Sequence, residues 1–216
     1  VLTGGSGDDT CNGGSGTDSL IEQGDVDFTL TNITLVGLGA DSFFGLELFE
    51  LSGGPSANSI TASAFSLAGA TLLINGDDGD DVIVGSSIGE TINGGAGNDS
   101  IRGGDGNDLL NGDEGDDTLN GGAGDDSIDS GTAQNLDVVF AGAGNDHVVT
   151  HNGCDIVFGG SGHADLRTGT GDDIVLRDRP NSIVPSHFPA AAELPTSVAC
   201  SVDASHLRPN PCPHTL

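Results

Sequence analysis

Residues 94–129 read GGAGNDSIR (94–102), GGDGNDLLN (103–111), GDEGDDTLN (112–120) and GGAGDDSID (121–129), four nine-residue units with no gap. Each follows the pattern Gly-Gly-x-Gly-x-Asp-x-apolar-x, with one departure, Asp113 in the second glycine position. Tandem units of so short a period signal a solenoid, in which each unit buries its apolar position against its neighbours. The fold class that follows is all-β, a β-solenoid, and the rest of the chain is measured against this register.

Working outward, residues 4–21 supply two further units, GGSGDDTCN and GGSGTDSLI, with Asp9 and Asp18 in the acid position and Cys11 in an apolar one. A thiol there behaves as a small hydrophobe. Downstream the register holds from Gly76 to Leu176: GDDGDDVIV, GSSIGETIN, the four units above, SGTAQNLDVVF (two residues longer), AGAGNDHVV, THNGCDIVF, GGSGHADLR and TGTGDDIVL. The apolar position is filled in every unit, by Ile83, Ile92, Ile101, Leu110, Leu119, Ile128, Val139, Val148, Val157, Leu166 and Val175. That regularity predicts a strand of about three residues per unit, its central side chain turned to a shared interior.

Between them, residues 22–75 lose the glycines but keep strand-like alternation at Val26, Phe28 and Leu30, at Leu46 and Leu48 with a slip to Leu51, and at Leu72 and Ile74. GGPSANSIT (53–61) is a decayed unit with Asn58 for the acid and Ile60 in the core position. Two readings stand, extra rungs without metal or an inserted β-element, and continuation is favoured. At Arg177 the texture changes: residues 177–216 hold seven of the eight prolines, which predicts an irregular C-terminal tail. Cys200, His206, Cys212 and His214 lie in it, at spacings that match no zinc finger. The organisation is therefore 1–21, 22–75, 76–176 and 177–216.

The formal charge is −28, from 33 acids against five arginines. Such a balance disfavours nucleic acid and anionic membranes as partners, and no apolar run is long enough to span a bilayer as a helix. Four cysteines show no CxxC spacing. The chain opens on Val1-Leu2-Thr3, with no Met and no signal-peptide pattern, and reads as a fragment of a larger protein.

The acids sit at one fixed position of the repeat, where their repulsion opposes folding unless a cation cancels it. Glycines let each turn aim its carbonyls at one point, and the aspartate adds a hard anionic oxygen. Six to eight oxygens at about 2.3–2.6 Å suit Ca²⁺, and the flexibility of such a site disfavours Mg²⁺. No His or Cys recurs to suit a softer metal. Turn chemistry alone would explain an isolated Gly-x-Asp, but not a dozen in phase.

The run GGAGNDSIR-GGDGNDLLN-GDEGDDTLN-GGAGDDSID resembles the RTX, or hemolysin-type, calcium-binding repeat of secreted bacterial proteins. The likeness is strong over 4–21 and 76–176, weak over 22–75 and absent from the tail. It implies a right-handed parallel β-roll with two units per 18-residue coil, and several Ca²⁺ ions in rows between coils. The implied metal-binding residues are Asp9, Asp18, Asp81, Asp99, Asp108, Asp117, Asp126, Asp137, Asp146, Asp155 and Asp173. Across coils the resemblance pairs Asp81 with Asp99, Asp99 with Asp117, Asp108 with Asp126, Asp126 with Asp146, Asp137 with Asp155 and Asp155 with Asp173. It also implies a secreted, extracellular or cell-surface location and the type I secretion machinery as a partner, although the Pro- and Cys-rich tail is unlike the family's usual export signal. Ile88 and Glu90 in GSSIGETIN weaken that unit, Ala164 leaves GGSGHADLR without its carboxylate, and Asn135 and Leu136 lengthen a loop that is expected to bulge. The best sites are expected between Asp99 and Asp126.

No catalytic constellation is found: neither HExxH nor GxSxG is present. His147 and His151 are read as exposed loop residues. The chain is therefore expected to be a non-catalytic, calcium-dependent folding module. The alternatives are the accessory part of a secreted protease, lipase or polysaccharide-modifying enzyme, or a repeat segment of a surface adhesin.

Overall fold

The computed structural model describes residues 1–176, and every regular element among them is a β-strand. The irregular tail expected over 177–216 lies outside the described residues. From Thr71 to Asp129 the strands alternate between two sheets, so that each coil contributes one strand to each. One sheet stacks Ser19–Gln23, Leu48–Gly54, Thr71–Asp78, Thr91–Ala96, Leu109–Glu114, Ser127–Asp129, His147–Val149 and Asp165–Arg167, all parallel. The other runs through Ser59–Ala64, Val82–Val84, Ser100–Asp105, Thr118–Ala123, Val138–Gly144, Ile156–Phe158 and Ile174–Leu176, also parallel. The fold is a parallel β-roll.

The 18-residue coil is visible in the ladder partners: Ile74 with Ile92 and then Leu110, and Ile83 with Ile101 and then Leu119. Each of these side chains is buried between the sheets, and burying one contributes about 1.5–3 kcal/mol. The interior is a single file of medium-sized residues per sheet. Such a core is thin.

Strands in the regular coils are longer than the three residues expected. Thr91–Ala96, Ser100–Asp105 and Thr118–Ala123 run on through the first glycines of the next unit, because those glycines keep ladder partners in the neighbouring coil (Gly95 with Asp113, Gly104 with Gly122). Asp113 fits its glycine position with φ 73°, and Asp77, at the same place in its unit, takes φ 75°. Aspartate tolerates this left-handed region better than most residues.

Residues 22–75 combine both readings of the sequence. In the first sheet the roll simply continues, with Leu20 beside Phe49 and Phe49 beside Leu72, though the coils are enlarged. In the second, Phe28–Thr31, Thr34–Val36 and Ala40–Phe44 form an antiparallel meander, with Thr10–Asn12 parallel to its last strand. Phe43, Phe49 and Phe65 pack as a file of tilted rings, with centroids 5.0 and 4.9 Å apart. One expectation is corrected here. Leu48 points outward (39% exposed), and the inward pair of its strand is Phe49 and Leu51. Alternation counted from Leu46 placed the frame one residue out.

The lengthened unit 130–140 does not bulge freely. Gln134–Asn135 pairs with Asn152–Gly153, and that with Thr170–Gly171, as a small third sheet along the edge of the roll. His147 also departs from expectation: it opens a strand and meets Asp165 at 3.3 Å, while His151 meets Asp129 at 3.1 Å.

Candidate metal centre

The acid of each unit lies two residues before the inward apolar residue, so it too turns inward, at the mouth of the core. Its neighbour on the ladder is the acid of the next coil. In one column Asn58, Asp81, Asp99, Asp117, Asp137 and Asp155 donate their backbone N–H to Oδ1 of Asp81, Asp99, Asp117, Asp137, Asp155 and Asp173, at 2.7–3.1 Å. In the other, Glu90, Asp108 and Asp126 donate to Asp108, Asp126 and Asp146 at 2.9–3.1 Å. Every pairing that the resemblance implied is a ladder contact of this kind. The second column ends at Ala164, where the Asp146 N–H turns to the backbone carbonyl of His163 at 3.0 Å. Asp165 does not replace the missing acid. It faces outward, to His147 and Arg167.

In most of these carboxylates one oxygen is satisfied and the other is not. Oδ2 of Asp81, Asp99, Asp108, Asp117, Asp126, Asp146 and Asp155, and Oε2 of Glu90, are buried with no hydrogen-bond partner. A buried polar atom left unpaired costs about 1–3 kcal/mol, and more when charged, yet here the defect recurs coil after coil. Among the described residues no arginine pairs with these acids.

Beside the orphaned oxygens of Asp81, Glu90, Asp99, Asp108, Asp117 and Asp126 lies the first glycine of the unit. A Cβ added to Gly94 would stand 2.8 Å from the carbonyl oxygen of Gly112, and closer still to Asp99 Oδ2. On Gly103 it would stand 2.7 Å from the Gly121 carbonyl and against Asp108 Oδ2. On Gly112 it would stand 2.7 Å from the Ser130 carbonyl and against Asp117 Oδ2. In each of these units a carboxylate oxygen and a backbone carbonyl of the next coil thus converge beside the first glycine, and hard oxygens of both kinds are what Ca²⁺ takes as ligands. Among the described residues no three His, Cys, Asp or Glu side chains converge, so the cells offer hard oxygen from carbonyl and carboxylate, which suits Ca²⁺ over a thiophilic metal.

Burial raises these carboxyls above the ordinary range. Asp99 and Asp126 are pushed up to about 6 and Asp117 to about 7, chiefly by desolvation. The N–H that each accepts works against that rise, and neighbouring carboxylates add to it. Asp137 is also raised to about 6 by burial. Asp81, Asp108, Asp146 and Asp173 are raised for the same first reason, as is Glu90, which stacks on Asp108. A dication replaces the lost hydration more fully than one N–H can.

At the N-terminal end the cells are built differently. Asp9 is exposed, and its N–H donates to Oδ1 of the buried Asp41 at 2.9 Å; the Asp18 N–H donates to Glu47 Oε2 at 2.9 Å. Glu22, also buried, accepts from the N–H groups of Gly4 and Gly5. Asp41, Glu47 and Glu22 escape a reading by glycine pattern because no glycine turn precedes them. For Asp41 and Glu47 the shorter signal acid-x-apolar would have sufficed: Asp41-Ser42-Phe43 and Glu47-Leu48-Phe49.

A second polar ladder, outside the cells, was also missed. Asn98 and Asp116 donate backbone N–H to the side chains of Asp80 and Asn98 at 2.8 Å, and Asp125 and Asn145 donate to those of Asn107 and Asp125 at 2.9 and 2.7 Å. This explains Asn or Asp just before the inward acid in the regular units.

The fold and these cells define a class, the parallel β-roll whose coils are bridged by hard-oxygen metal sites. The family model of the RTX calcium-binding nonapeptide repeat matches residues 1–20, 73–87, 85–119, 103–136 and 134–166, and the chain belongs to that family. Its repeats bind calcium, and the buried aspartate series provides for several ions. No curated protein aligns significantly with the chain.

Proposed function

We propose that this segment is a calcium-dependent folding module of a secreted bacterial protein, and that it is not itself catalytic. Asp81, Glu90, Asp99, Asp108, Asp117 and Asp126 would hold the ions through their second carboxylate oxygens, with backbone carbonyls of the next coil completing each cell. Calcium supplies the positive charge that lets these carboxylates stay ionised while buried. The observation carrying the reading is the row of orphaned, buried carboxylate oxygens, those from Asp81 to Asp126 packed beside a glycine and a carbonyl of the next coil.

The chain's own residues account for the coupling to folding. Without metal, the N–H groups of the ladder satisfy one carboxylate oxygen each, and the thin core must offset both repulsion and chain entropy. Where calcium is scarce the balance favours the open chain; at the millimolar levels typical of extracellular calcium modules it favours the roll. That suits a chain exported unfolded, as by the type I machinery, and folded outside the cell. Circular dichroism of the 216-residue chain should show a calcium-dependent gain of β-structure. Identical spectra in EGTA and in millimolar Ca²⁺ would sink the reading.

A further inference from the structure

The outer face of the second sheet changes character towards the end of the roll. On the ladder, Arg102 is followed by Asn120, then by Phe140, Phe158 and Leu176. In the column beside it, Ser100 and Thr118 give way to Val138, Ile156 and Ile174. The Phe140 and Phe158 rings stack with centroids 4.7 Å apart, and Phe140, Ile174 and Leu176 remain 37–38% exposed. Single exposed apolar residues are ordinary, but a contiguous outward patch over three coils marks a surface that is covered by something.

Cys154 belongs to this face. It precedes Asp155 and Val157, which are buried, so alternation along the chain turns it outward with Ile156 and Phe158. It is also held in a disulfide, whereas Cys11 is a buried free thiol. The chain has four cysteines, which leaves Cys200 and Cys212 to meet Cys154.

Both of those cysteines lie in residues 177–216, and the described chain ends on this same face, at Leu176. That segment offers apolar side chains, Ile183, Val184, Phe188 and Leu194 among them. Its arginines, Arg177, Arg179 and Arg208, balance its acids, Asp178, Glu193 and Asp203. A second copy of the whole chain, at −28, would instead be repelled.

We propose that residues 177–216 return over the outer face of the last three coils and are locked there by a disulfide from Cys154 to Cys200 or Cys212. The bond forms by exchange with the disulfide of a thiol–disulfide oxidoreductase. One thiolate attacks that disulfide, and the second thiolate then displaces the oxidoreductase from the mixed disulfide. The two thiols give up two protons, and two electrons leave with the oxidoreductase as its dithiol. An oxidising, extracellular setting preserves such a bond. The proposal stands apart from the calcium reading.

The test uses the 216-residue chain refolded in calcium with oxidised and reduced glutathione. Peptide mapping without reduction should join the peptide holding Cys154 to one holding Cys200 or Cys212. Cys154→Ser should lose that cross-link. A free Cys154 thiol or a Cys200–Cys212 bond overturns the proposal, and so does a covalent dimer, which would seat a second copy on the face. Covering is read separately with Nile red, a neutral apolar dye. Reduced protein and Cys154→Ser should bind more of it than oxidised protein, a gain that Phe140→Ser removes. Reduction of the unaltered chain decides the point even if Cys154→Ser fails to fold. Equal dye binding before and after reduction overturns the proposal, because the face would then be open in both states.

Discussion

Leu20, Phe49 and Leu72 stand in the same inward column that Glu90, Asp108, Asp126 and Asp146 occupy farther along the roll. Leu20 pairs with Phe49 and Phe49 with Leu72, and in the next coil Glu90 follows one residue before the partners Thr91 and Leu73. Up to Leu72 the column is apolar, and two of its strands turn a pair of large apolar side chains inward, Phe49 with Leu51 and Leu72 with Ile74, while the first sets the buried Glu22 two residues from Leu20. From Glu90 to Asp146 each strand keeps one apolar residue and gives the other place to a carboxylate, and the series ends at Ala164. A coil can therefore be closed with hydrophobic bulk or with charge and a cation. On the proposed function, the first kind would carry its stability with it, and the second would draw it from calcium in solution.

The largest test of this contrast removes calcium. In EGTA, hydrogen exchange should lose protection over 91–129 and retain it over 48–75; uniform loss along the chain would mean that the two regions are one cooperative unit. Next comes Phe49→Ala, which should cost about 3–5 kcal/mol, by the same amount in EGTA and in calcium, read from denaturant unfolding of the 48–75 region. Asp99→Asn should do the opposite, raising the calcium midpoint of folding about tenfold, equivalent to about 1.4 kcal/mol, while stabilising the metal-free roll at neutral pH, where the buried Asp99 carboxylate opposes folding.

Acidity gives a smaller and opposite-signed effect in the two states. Asp99, Asp117 and Asp126 bind protons at about 6–7 in the folded, metal-free roll, against about 3.9 in an unfolded chain. Folding without metal thus takes up protons. Its stability grows as pH falls from about 7 towards 4, and is lost as pH rises through 6–7. Protons also compete with calcium, so the calcium midpoint should rise below about pH 7, measurable by dichroism at a series of pH values. The smallest effect concerns the outer face, where Asn111 donates to Asn93 at 2.6 Å and Asn93 to Asn75 at 2.8 Å. Asn93→Ala should cost about 0.5–1.5 kcal/mol and leave calcium binding unchanged.

The regular coils were legible because period, turn and ligand coincide in nine residues. Ile101, Leu110 and Leu119 could be placed inside, and Asp99, Asp108 and Asp117 in register, from spacing alone. Where glycines vanish, that link breaks. The inward frame at Phe49 and Leu51, the meander around Leu35 and the buried Asp41 are set by cross-coil packing at separations near 30 residues, as in Cys11 with Phe43. Nothing local announces them. The outer ladder through Asn98 and Asp116 was visible as a preference but had no meaning until the coils were stacked.

The stacking also sets how the molecule would respond to force. Strands lie across the roll axis, so a pull on its two ends loads the coils in series and peels them singly instead of shearing the sheets. An 18-residue coil contains about 60 Å of extended chain but occupies only about 4.8 Å along the axis. Each coil that yields would release about 55 Å. Under tension the roll would act as a reel, paying out uniform lengths wherever the 18-residue repeat holds.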